Sequence, residues 1–264
     1  MEVLVLMYHQ IVPYKAPEGW VPSDLADPRY GVTVREFARQ MAYLLEEEYT
    51  VLSLESLLDP GHKKKEGSDS KKPAIVITFD DGYESDLELA APVLSHLGLP
   101  ATFFVATGHL GTSGMLSETM VAKLANRPIF RIGGHGQTHR FLSELSTSEC
   151  QEELFRSYDT IRHLTGQEEV EMSAPGGRVN AHVEELAKKA GFRALANSKP
   201  GIFSDPHKLF SIPRLPIMRH HSLDEFSSLL DPGSLAFQKD RLVRTAKQKV
   251  RLLFTGLSTK KGRG

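Results

Sequence analysis

Cysteine is nearly missing from these 264 residues: Cys150 stands alone. A single thiol closes no internal disulfide, so stability must come from a packed core, and nothing points to an oxidising compartment. Cys150 lies in an acid-rich, helix-patterned stretch, Glu149-Cys150-Gln151-Glu152-Glu153. With no cation to lower its pKa, it reads as a packing residue rather than a nucleophile. A surplus of either charge is also missing. The 32 Lys and Arg face 33 Asp and Glu, a net charge of -1, which leaves no global field to draw in nucleic acid. No apolar run is long enough to span a bilayer. The opening residues, Met1-Glu2-Val3-Leu4-Val5-Leu6-Met7-Tyr8-His9, lack the basic region and cleavage site of a signal peptide and are expected to form a first strand. The expected location is therefore cytoplasmic.

What the chain does have is alternation. Strand-like runs at 3–7, 50–54, 74–79, 101–105, 130–133, 193–196 and 210–212 are separated by helical patterns at 33–48, 84–97, 146–164, 180–190 and 223–229. Thr33-Val34-Arg35-Glu36 and Ser146-Thr147-Ser148-Glu149 are capping boxes, and Gly166 and Gly191 are helix stops. Repeated strand–helix units imply parallel strands, in a barrel or a doubly wound sheet, with function at the strands' C-terminal ends. Loops are expected at 13–28, where Trp20 either shapes a substrate groove or anchors a surface loop, and at 59–73, a lysine-rich insertion. The stretch 239–264 is set apart from a main domain at 1–238. It carries nine cations against one acid, with Leu242, Ala246, Val250 and Leu253 at helical spacing. Such a basic amphipathic helix either packs on the domain and ends in a basic tail, the favoured expectation, or rests on an anionic membrane surface.

Chemistry concentrates in two places. Thr78-Phe79-Asp80-Asp81-Gly82 closes the apolar run 74–77, and adjacent carboxylates at a strand end repel unless a cation relieves them. Some fifty positions on comes His135-Gly136-Gln137-Thr138-His139, two imidazoles at i and i+4, expected to project from one face of a helical turn. Asp81, His135 and His139 can supply three ligands to a divalent ion, leaving Asp80 as a general base. Gly133, Gly134 and Gly136 are expected to let the backbone approach the metal, and Thr138 to hold a ligand or fix the turn.

The chain resembles the polysaccharide deacetylases of carbohydrate esterase family 4, the NodB-homology domain, from about Leu4 to Leu229. The resemblance rests on Met7-Tyr8-His9, Thr78-Phe79-Asp80-Asp81-Gly82-Tyr83, Pro100-Ala101-Thr102-Phe103-Phe104-Val105, Ile132-Gly133-Gly134-His135 with Thr138-His139, Ala174-Pro175-Gly176-Gly177, Ala190-Gly191-Phe192-Arg193-Ala194 and Ile212-Pro213-Arg214. It implies an α/β fold, a distorted (β/α)7 barrel of the polysaccharide deacetylase type. It also implies hydrolysis of an N-acetyl, occasionally O-acetyl, group on a sugar or glycan. Asp80 would be the base, and Asp81, His135 and His139 would bind the metal, usually zinc, with cobalt, nickel or manganese as alternatives. A backbone N–H near Pro175-Gly176 would stabilise the oxyanion. His9, Tyr83, Pro175, Gly176 and Trp20 are the candidate substrate contacts.

The sequence departs from the family pattern in three places. Met172-Ser173 stands where many members carry an Arg, leaving Arg178 or Arg214 to orient Asp80. No Asp-Trp pair follows. The late leucine–x–histidine motif is unclear, so His220, His221 or Asp80 itself would supply the proton for the leaving amine. A non-catalytic carbohydrate-binding relative and a small-molecule amidohydrolase on the same barrel are the competing expectations.

Overall fold

The computed structural model describes residues 1–15, 23, 26–58 and 72–258, with side chains through 246. Trp20, most of the 13–28 loop and nearly all of the lysine-rich insertion lie outside the described residues. The elements run β1 (Val3–Tyr8), β2 (Ile11–Val12), β3 (Val32–Thr33), α1 (Val34–Glu46), β4 (Val51–Leu52), α2 (Leu54–Leu58), β5 (Ala74–Phe79), α3 (Ala91–Leu97), β6 (Ala101–Val105), α4 (Glu118–Ala125), β7 (Phe130–Gly134), α5 (Thr147–Thr165), β8 (Glu171–Ser173), α6 (Ala181–Ala190), β9 (Ala194–Ala196), β10 (Leu215–Pro216), α7 (Leu223–Leu229) and α8 (Leu235–Ser258). The expected helix at 84–97 is a π-helical turn, Asp86–Ala90, running into α3. Both glycine stops hold: Gly166 and Gly191 end α5 and α6 in the left-handed conformation.

The main sheet is parallel, in the order β10-β1-β5-β6-β7-β8-β9, with β4 beside the first half of β5. Its two ends meet through one stretch of chain. Asn197 N–H donates to Ile212 C=O (2.9 Å) on the β9 side, and five residues later Ile217 N–H donates to Met7 C=O (2.9 Å) on the β1 side. The sheet therefore curls into the distorted barrel that the family resemblance implied. Strand β8 and helix α4 fall where no element was expected. Glu171 interrupts the apolar pattern of β8, and three residues are too few to show a period.

Alternation along each strand sorts the two cores. Leu4, Leu6, Ile75, Ile77 and Phe79 face outward and pack under the helices. Val3, Val5, Val76, Phe104, Ala196 and Ile212 face inward and, with Leu54 and Leu58 of α2, fill the barrel's N-terminal half. The same inward register carries on from Val76 to Thr78 and Asp80. The C-terminal half of the barrel is thus lined by polar groups where the other half is lined by hydrocarbon.

Candidate active site

Chain geometry at the end of β5 aims the two aspartates apart. Asp80 is buried, and its backbone N–H still donates to Tyr8 C=O, continuing the sheet (3.0 Å). Asp81 and Gly82 then both turn left-handed, at φ 81° and 85°. Only glycine suits the second position, because a Cβ there would stand 2.9 Å from Val105 Cγ1. His139, at φ 59°, is the other ligand candidate held in this region. Strained backbone of this kind, about 1–3 kcal/mol per residue, gathers at functional sites.

The two histidines converge without a helix. Residues 135–141 form a loop after β7, so the i, i+4 spacing works through left-handed turns at Gly136 and His139 rather than through one helical face. Glu153, on the buried side of α5, holds that loop. Its carboxylate accepts the backbone N–H groups of Gln137 and Thr138 (2.8 Å each) and the Thr138 hydroxyl. Thr138 therefore fixes the turn. Packing requires two of the glycines: a Cβ on Gly133 would meet the Phe104 ring at 2.5 Å, and one on Gly134 the Ser157 hydroxyl at 2.7 Å. Glu153 was not anticipated. Its signal was a charge on the apolar stripe of α5, between Cys150 and Leu154.

Asp81, His135 and His139 offer three ligand atoms within 4.8 Å of one another. Asp81 Oδ1 lies 3.3 Å from His135 Nε2 and 3.1 Å from His139 Nε2. The other oxygen, Oδ2, accepts the Tyr83 hydroxyl (2.9 Å), while Oδ1 is buried and takes no hydrogen bond. His135 donates from Nδ1 to Ser173 C=O (2.9 Å), which leaves Nε2 with its lone pair toward the cluster. One orphaned carboxylate oxygen and two inward imidazole nitrogens fit a divalent ion of the zinc type.

Asp80 belongs to a separate network behind this triad. Arg214, fully buried, donates to both of its oxygens at 2.6 Å, Nη1 to Oδ1 and Nη2 to Oδ2. The same guanidinium reaches Thr78 Oγ1, Ser173 Oγ and Asn197 C=O. Burial alone would raise the Asp80 pKa, but the Arg214 charge and its hydrogen bonds, with His135 and His9, hold it below the usual carboxylate range. For Asp81 too, burial works upward, and the close His135 and His139 rings, with His9, bring the carboxyl well below its ordinary value. Arg214 is therefore the arginine that orients Asp80. Arg178 instead pairs with Glu144 and lies 3.8 Å over the Phe141 ring.

His9 is half-buried, its ring tilted by 34° against Tyr30 with centroids 4.2 Å apart. Its pKa is lowered mainly by burial, and it feels the charges of Asp81, Asp80, Arg214 and His135. His220 and His221 lie elsewhere. His221 accepts the Met218 N–H at Nδ1 (3.1 Å), and burial with the adjacent His220 pushes its pKa down to about 4. The other charges acting most on His221 are Asp240, Arg244 and Glu225. Pro175 and Gly176 form a tight turn after β8, with Pro175 against the histidine loop and Gly176 against Phe141. Cys150 is buried, and burial with Glu153 raises its thiol to about 11, in keeping with a packing role.

Residues 67–195 match the family model described as polysaccharide deacetylase. The chain is 26% identical over 230 residues to the Bacillus subtilis (strain 168) protein YxkH, covering 86% of this chain and 75% of that one. It is 26% identical over 253 residues to a Staphylococcus aureus poly-beta-1,6-N-acetyl-D-glucosamine N-deacetylase, covering 90% and 84% respectively. The crystal structure of a polysaccharide deacetylase from Bacillus cereus superposes with a TM-score of 0.72 at 26% identity, over 88% of this chain and 69% of that one.

Proposed function

We propose, from the premise that this chain belongs to the polysaccharide deacetylase family through residues 67–195, that it is a metal-dependent hydrolase removing N-acetyl groups from a glycan. The observation that carries the proposal is a division of labour between neighbouring carboxylates. Asp81 faces two imidazoles and Asp80 faces an arginine. Asp81, His135 and His139 would hold the ion, whose Lewis acidity polarises an acetyl carbonyl and favours ionisation of water.

The chain's own groups do the rest. Asp80 stays ionised at neutral pH because Arg214 holds it so, and it accepts the proton of the attacking water. The fork from Arg214 fixes the carboxylate plane, so the basic lone pair is oriented before substrate arrives. Tyr83 locks Asp81, and Ser173 C=O fixes the His135 tautomer. His9, in electrostatic reach of both aspartates and with Nδ1 buried and unpaired, takes the proton-donor role expected of His220 or His221. With its pKa lowered, the ring rests neutral at neutral pH and donates to the leaving amine only after taking up a proton during the reaction. By analogy with the S. aureus relative, the substrate class is a β-1,6-linked N-acetylglucosamine polymer.

The test is acetate release from N-acetylglucosamine oligomers and small N-acetyl sugars. Metal-free protein is titrated with zinc, cobalt or nickel, beside Asp80→Asn. Metal-dependent release that disappears in the variant is expected. Oligomer binding without release from the wild type would instead mark a carbohydrate-binding relative, and absence of metal binding would overturn the proposal.

A further inference from the structure

Helix α8 meets the domain on the side opposite to its apolar stripe. Phe237 is buried, and Asp240 and Arg244 are half-buried and paired with each other at 2.7 Å. These three share one side, because residues three, four and seven apart fall together on a helix. Leu235 and Leu242 lie roughly 150° around the helix from Phe237. They are 84% and 71% exposed, and Val243 is 43% exposed, the most open cluster of large apolar side chains among the described residues. The favoured expectation was a terminal helix packed on the domain. The structure packs only the Phe237 side and leaves the stripe of Leu235, Leu242 and Val243 outside.

The sequence extends both features along the helix. Ala246, Val250, Leu253 and Leu257 continue the spacing of Leu235 and Leu242. The cations of the helix are Lys239, Arg241, Arg244, Lys247, Lys249 and Arg251, against the single acid Asp240. Arg244 is paired with that acid, so the remaining charge is positive. By helical spacing Lys239 and Lys249 fall on the side of the stripe, and an apolar stripe interspersed with cations complements one surface chemistry, anionic headgroups over hydrocarbon, so that the helix would lie in that interface. No helix among the described residues is long and apolar enough to cross a membrane.

We infer that α8 is a membrane-docking element that seats the protein on anionic lipid. The contact is independent of acetyl hydrolysis, and vesicle binding reads it with no substrate present.

The experiment is co-sedimentation of the full 264-residue chain with vesicles of phosphatidylglycerol in phosphatidylcholine, and of phosphatidylcholine alone. The doubly substituted Leu242→Asp, Val243→Asp protein runs in parallel. Both replaced side chains are exposed, so circular dichroism and melting should match the wild type, as should deacetylation of soluble oligomers. The expected result is at least tenfold stronger partitioning to the anionic vesicles, weakened by 0.5 M salt and lost tenfold or more in the variant. Equal partitioning to neutral vesicles, no binding at all, or binding untouched by the double substitution would each overturn the inference. So would a concentration-dependent dimer that the substitutions dissolve while vesicles bind neither protein, which would make the stripe a contact between two copies.

Discussion

At the scale of single residues, the pairing of Asp80 with Arg214 decides what the site can do. Two planar groups meet edge to edge, with both carboxylate oxygens engaged at 2.6 Å and both partners buried. Lysine keeps the charge and loses the fork, so it should hold Asp80 less firmly and in a less defined plane. Arg214→Lys is expected to raise the Asp80 pKa. The acid limb of kcat/KM against pH then moves to higher pH, and the plateau falls on the order of 10²-fold, the cost of misplacing a reacting group. A pH–rate profile of the variant checks this, and an acid limb that stays in place would remove Arg214 from the role. The sequence could name two arginines and not choose between them. Arg178 is near the site in sequence and Arg214 is distant, and only the barrel's curvature brings the distant one under Asp80.

At the scale of elements, α5 illustrates both what a sequence discloses and what it withholds. Its ends were legible because they are local chemistry: Ser146 and Glu149 cap each other reciprocally, and Gly166 turns left-handed. Its role at the site was not, because Glu153 acts across 15 and 16 residues on the loop that carries the histidines. The i, i+4 spacing of His135 and His139 suggested a helix for the same reason. Convergence can be read from spacing, while the path between depends on left-handed backbone that spacing does not encode. Replacing Glu153 with Ala leaves the Gln137 and Thr138 N–H groups without this acceptor and frees the loop. Apparent metal affinity should fall about 10–100-fold, as for other groups that orient ligands. Stability should drop by about 1–3 kcal/mol. Competition against a chromophoric chelator measures the first and denaturant unfolding of metal-free protein the second. Unchanged affinity in a folded variant would show that the loop holds its shape without α5.

Over the whole molecule, the barrel separates a polar end from an apolar one, and Glu171 violates that separation. It stands at the start of β8, facing inward as Ser173 does, in the hydrocarbon-filled half that the strand alternation made legible. Neither carboxylate oxygen has a hydrogen-bond partner in the protein, and burial raises its pKa from 4.5 to about 7 against the opposing pull of Arg131. The folded state therefore binds this proton more tightly than the unfolded chain does. Between pH 4.5 and 7 stability falls as pH rises, and above pH 7 the whole penalty is present. A shift of that size corresponds to about 3 kcal/mol, undiminished by solvent because the residue is 1% exposed. Asp80 and Asp81 work the opposite way. Their depressed pKa values give stability above an ordinary carboxylate's pKa that is lost on further acidification, so wild-type stability should peak in mildly acid solution. Glu171→Gln isolates the one group. It should leave stability at pH 4.5 nearly unchanged and raise it at pH 8 by about 3 kcal/mol at most, measured by urea unfolding of metal-free protein at both values. A difference between variant and wild type that stays constant with pH would mean that Glu171 is ionised throughout, held by the neighbouring arginines as a structural anion.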